Sequence, residues 1–195
     1  KNIFSGCSSL EKVSIPSSIT SFEISTFDGC SSLSQITIPS SVTTIGVWSF
    51  SGCSSLSEIE IPSSITSIGN YVFKGCTSLT RIVIPSSVTT IGNQTFLRCS
   101  SLTEIELPSS LTLIGNFAFR ECSSLIKIKI PSSVIVIGEG CFMQCSSLEE
   151  VNIPASITSI QKETFENCKS LKRIEIHSSV TKVGYNAFKG CCSLK

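Results

Sequence analysis

Only 15% of this chain is charged, against roughly 25% in an average globular domain. The net charge is +1. That removes the electrostatic basis for binding nucleic acid or an anionic membrane surface. No apolar run approaches the roughly 18 residues a spanning helix needs, so direct membrane insertion by this segment is not expected. The 195 residues include one Met, one Trp, one His and two Tyr. An ordinary core mixes its large side chains, so this composition points away from one. Disorder is excluded as well, because 41% of the residues are hydrophobic and the mean hydropathy is +0.33.

What is abundant recurs at a fixed period. Ile-Pro falls at Ile15-Pro16, Ile38-Pro39, Ile61-Pro62, Ile84-Pro85, Ile130-Pro131 and Ile153-Pro154, with Leu107-Pro108 and Ile176-His177 in the same register. Every step is 23 residues. Phe repeats in that register from Phe4 to Phe188, Cys from Cys7 to Cys191 and Leu from Leu10 to Leu194. Such a period marks a stacked repeat. Seven complete units run from Ile15 to Glu175, with partial units at both ends. Residues 1–195 therefore read as a single solenoid segment, and as a fragment of a longer chain.

One unit shows the local logic. From Leu102 to Leu107 apolar and polar residues alternate, with Ile105 and Leu107 on one side and Glu104 and Glu106 on the other. That is a half-buried strand. Pro108 has no N–H to donate and ends the pairing, and Ser109-Ser110 make a corner. Leu111 and Ile114 form a second short apolar stretch ending at Gly115. Glycine there suits a positive φ or a close backbone approach. The spacing of Phe119 and Cys122 predicts one short helical or 3-10 turn. The fold class expected is a mainly β repeat solenoid with parallel sheets and one such turn per coil.

The segment Leu79-Thr80-Arg81-Ile82-Val83-Ile84 resembles the core of a leucine-rich repeat, and the full pattern is similar to the BspA-like subclass. The resemblance spans essentially the whole chain. It implies a right-handed superhelix with a binding or adhesion role, of a kind common on surfaces of bacteria and parasitic protists. His177 in place of Pro, Gln161 and Glu23 in place of Gly, and Ala155 in place of Ser depart from the pattern and affect local turns.

Eleven cysteines suggest disulfides or a metal, but the spacing opposes both. Stacked side chains lie parallel at roughly 4.8 Å, whereas a disulfide needs converging Cβ atoms about 3.8 Å apart. Zinc needs clustered ligands. A ladder of buried thiols fits better, with Cys141 and Cys192 outside it. The lone His177 stands at a corner with no motif supplying a partner, and the Ser-Ser pairs suit turns. No phosphate loop or other cofactor motif is present, so neither enzyme activity nor a cofactor is expected.

Two surfaces are candidates for contact. On the main sheet, Glu58, Arg81, Glu104, Lys127, Glu150 and Arg173 form a file whose sign alternates at every coil. This is either a ligand surface or a self-neutralising ladder. On the second face a threonine file is broken by Ile135, beside Leu113 and Val136. These three form a small apolar patch, the sharper candidate for a protein contact. Trp48, Tyr71 and Phe117 share a register and either pack over the coil or anchor a partner. Asn93-Gln94-Thr95 is a glycosylation sequon. The function expected is a non-catalytic protein-binding or adhesion module, secreted or on a cell surface, with end-to-end or lateral self-association open. The alternative is a structural scaffold in an intracellular assembly, cytoplasmic or cytoskeleton-associated, where free thiols are at home.

Overall fold

The alternation that closes each repeat does form a strand, and equivalent strands pair in parallel. The computed structural model describes residues 2–195. On the first face Glu58–Glu60 pairs with Arg81–Val83, while Lys127–Ile128, Glu150–Asn152 and Arg173–Glu175 form a three-stranded group. Single bridges join Lys12 to Gln35 and Glu106 to Lys129. The second face carries two-residue strands. Ser67–Ile68, Thr90–Ile91, Leu113–Ile114 and Val136–Ile137 pair in that order, flanked by Ser21–Phe22 with Thr44–Ile45 and Ser159–Ile160 with Lys182–Val183. All partners differ by 23 residues, as in Glu58 with Arg81. The corner between the faces is a turn in which the Pro39 carbonyl accepts the Val42 N–H at 3.0 Å.

The expected helical turn is absent. Among the described residues there is no α- or 3-10 helix. The stretch instead alternates the destinations of its amides. Trp48, Phe50 and Gly52 donate to Asn70, Val72 and Lys74 of the next coil, while Ser49, Ser51 and Cys53 donate three residues back. This zigzag needs left-handed backbone at two points, with φ of 59° at Trp48 and 71° at Gly52. A continuous helix would commit every amide locally and leave the next coil unbonded. The pattern recurs at every junction from Asn2 to Lys189, making this turn edge the one backbone ladder that is unbroken among the described residues.

Both sheet ladders lapse. On the first face no strand pairing joins Arg81–Val83 to the coil of Glu104, or Gln35 to Glu58–Glu60, among the described residues. On the second face it lapses between Ile45 and Ser67 and between Ile137 and Ser159. One lapse has a visible cause. A Cβ at Gly115 would lie 2.6 Å from the backbone of Gly92, so these glycines permit close coil approach and need no positive φ. Gln161 occupies that register and brings a Cβ, so its coil must stand off from Gly138. At Gly69 the equivalent distance is 3.7 Å, and nothing local explains that wider gap.

The core is a column of fully buried Phe from Phe27 to Phe165, with ring centroids of neighbours 5.2–5.6 Å apart and nearly parallel planes. The Leu and Cys files line the column and are fully buried from Cys30 to Leu171.

Candidate protein-contact surfaces

The polar side chains at the corners are largely committed to holding coils together. Ser87, Ser110 and Ser133 donate to carbonyls of the preceding coil at 2.6–2.7 Å. Thr43, Thr89, Thr112 and Thr181 do the same at 3.1–3.3 Å. The sequence suggests bonds to nearby backbone; the acceptors lie 22 or 23 residues away. At these four positions the threonine file is thus a structural staple whose hydroxyl protons are already used.

That makes its interruption informative. Ile135 cannot make the staple, and it is 62% exposed beside Leu113 at 36% and Val136 at 43%. Leu113 and Val136 are register partners. The three apolar side chains foreseen as a patch are therefore adjacent and open to solvent.

The first face holds a groove of about 920 Å³ beside the lapse after Arg81–Val83. Glu104, Lys127 and Glu150 line it, as do Glu106, Lys129 and Asn152 of the neighbouring, more mixed outward file. Arg81 lies on the other side of the lapse and does not line it. The signal for Lys129 was available: it follows Lys127 at the alternate position of one strand. Asn152 folds back on the preceding coil, its Oδ1 accepting the Ile130 N–H and its Nδ2 donating to the Ile130 carbonyl, both at 2.9 Å.

The alternating charge file does not close into ion pairs. Among the described residues, the close pairs lie elsewhere: Arg98–Glu121, Arg120–Glu121, Lys162 with Glu139 and Glu163, Lys172–Glu149 and Lys189–Glu166. Opposite charges on neighbouring coils therefore pair once in the adjoining file, at Glu149 and Lys172, and otherwise along the turn edge, where a second groove of about 600 Å³ runs past Arg98, Glu121, Gln144 and Asn167.

The aromatic register packs on the protein itself. Phe117 lies over Gly140, where any side chain would overlap its ring. The Trp48 and Tyr71 rings meet at 5.1 Å, tilted by 33°. Asn93 accepts the Asn116 N–H through Oδ1 at 2.8 Å, and the Thr95 hydroxyl is buried, donating to Gly92 at 2.8 Å. The sequon residues thus serve an asparagine ladder and a hydroxyl staple.

All eleven cysteines are free. Each file member from Cys30 to Cys191 directs its thiol to the carbonyl of a Phe one coil back, at 3.1–3.2 Å. The thiols are donors as well as small apolar fillers. Burial pushes the Cys76 thiol from 9.0 up to about 12, and raises Cys99 and Cys145 well above the ordinary value. Such thiols are inert. His177 does have a partner: the Ser179 N–H donates to its Nδ1 at 3.2 Å. The Ser179 hydroxyl is committed to the Ile157 carbonyl at 3.0 Å, so the pair closes a turn.

Stacked parallel strands, a repeated core column and solvent-facing files define a leucine-rich-repeat solenoid. The profile of the BspA type leucine rich repeat region matches residues 1–97 and 66–195 in six copies, and the chain belongs to that family. It is similar to a leucine-rich repeat protein of T. pallidum, with 36% identity, a TM-score of 0.77, and 83% of this chain and 75% of that one covered. It also resembles one from Bacteroides ovatus, with 28% identity and a TM-score of 0.72, covering 98% of this chain and 61% of that one. The pneumococcal vaccine antigen PcpA shares the fold at 23% identity and a TM-score of 0.57, covering 91% of this chain and 53% of that one. No curated protein matches.

Proposed function

We propose that this chain is a non-catalytic protein-binding or adhesion module that docks a partner on the first face. The observation that carries this reading is the groove of about 920 Å³ whose charged lining residues stay out of the ion pairs formed elsewhere. Open polar groups along a pre-formed groove suit a macromolecular partner with matching charges. The Leu113, Ile135 and Val136 patch supplies a second, apolar contact, for a partner or for lateral self-association between copies. Family membership supports display on a cell surface or secretion.

A scaffold role inside a cell is the second reading. It is favoured by the free thiols, which a reducing compartment keeps so without further protection.

Photoreactive residues placed at 129 and at 135 of the protein in its native host test both surfaces. Protein adducts at either position support the module. Its overturn is adduct formation at neither position while a probe at a buried site is equally silent and one at the turn edge reacts.

A further inference from the structure

We infer that the groove on the first face receives an extended polypeptide segment bearing two carboxylates, two residues apart, over Lys127 and Lys129, with cationic side chains on either side. This rests on the first face being a docking surface and adds the chemistry of the segment that fits it.

Lys127 and Lys129 are exposed alternate residues of one coil, and the buried Ile128 lies between them. Alternate side chains of an extended chain repeat at roughly 6.6 Å, so an extended ligand aligned with the coil presents acids at the same interval. Glu104 and Glu106 lie in the preceding coil, and Glu150 in the following one, with Glu106 bridged to Lys129 and Glu150 in register with Lys127. Among the described residues none of these five closes an ion pair, although Glu149 and Lys172 in the adjoining file do so at 2.7 Å. The groove therefore presents an acidic pair, a basic pair and a single acid in successive coils.

Each simple ligand charge meets repulsion there. A polyanion is repelled by three glutamates, and a polycation by two lysines. A segment aligned with the coil satisfies all five when its two central acids lie over the lysines and long cationic side chains before and after them reach sideways to the glutamates of the neighbouring coils. Specificity then comes from what the flanking charges reject as much as from what the lysines attract. Asn152 sharpens the asymmetry. Its amide is turned onto Ile130 and offers no charge, so one side of the lysine pair carries two acids and the other carries one.

The test uses the purified chain and three labelled heptapeptides on a threonine background. One has Glu at positions 3 and 5 between terminal Arg residues, one has these charges exchanged, and one is all threonine. Affinity is read by fluorescence anisotropy, and the site by amide shift changes in residues 104–107, 127–130 and 150–152. The expected result is that the first peptide binds there at least ten-fold tighter than the exchanged one. Lys127→Glu with Lys129→Glu should reverse that preference, and Lys129→Glu alone should narrow it should the double variant melt early. Equal binding of all three peptides at these amides overturns the inferred charge order and leaves docking at this face standing. No shift at these amides with any peptide overturns both.

Discussion

The thiol of Cys122 donates to the carbonyl oxygen of Phe96 at 3.1 Å, one coil back. The same carbonyl accepts the Cys99 N–H at 3.0 Å, so it bonds within its own coil and to the next. This repeated link ties the thiol file to the Phe column, and the file members from Cys30 to Cys168 are both buried and unpaired.

The first prediction concerns thiol reactivity and pH. In the native chain at pH 8, a thiol reagent should modify Cys7 and Cys192 rapidly, because only these two are exposed. Denaturation without reductant should release all eleven. A raised folded-state pKa means that stability is complete below the ordinary 9.0 and is lost as pH climbs towards about 12, where Cys76 titrates in the fold. Urea midpoints should therefore fall above pH 9, and fall less steeply in Cys76→Ala. Four or more register-matched cysteine pairs found oxidised in native protein would contradict this.

Phe96 has no solvent exposure and stacks at 5.6 Å on Phe73 and 5.2 Å on Phe119. Phe96→Ala should cost about 3–5 kcal/mol, measured by chemical denaturation. A loss below about 1 kcal/mol would place the column elsewhere.

Two glycines of one register should respond oppositely. Gly115→Ala forces a Cβ to within 2.6 Å of backbone and should destabilise by about 1–3 kcal/mol. Gly69→Ala meets nothing nearer than 3.7 Å and should be neutral or gain about 0.4–1 kcal/mol through the unfolded chain. Thermal melts of the pair decide it, and equal losses would refute the uneven coil spacing.

Asn93→Ala removes the acceptor of the Asn116 N–H and should cost about 1 kcal/mol, while Asn93→Asp keeps an acceptor and should cost less. Indistinguishable melts for the two variants would show that the asparagine ladder contributes nothing.

The triple change of Leu113, Ile135 and Val136 to Thr restores the repeat's own pattern on the second face. Folding should be intact, and any lateral self-association seen by sedimentation should weaken. Unchanged association would show that these side chains make no contact.

The period, the strands, the corners at Pro and the buried Phe, Leu and Cys files were legible in the sequence. They follow from alternation and from identical residues stacking at a fixed step, which need no knowledge of distant partners. The turn edge was misread for a physical reason. Phe119 and Cys122 stand three apart in a helix and in successive turns alike, and the difference lies in whether the Phe119 amide finds its acceptor locally or on Cys141 of the next coil. The same holds for the site. The charge file of Glu104, Lys127 and Glu150 was visible in the chain. Its exclusion from ion pairs, the inward fold of Asn152 and the lapse of strand pairing beside the groove depend on groups 22 or 23 residues apart, whose placement only the assembled stack decides.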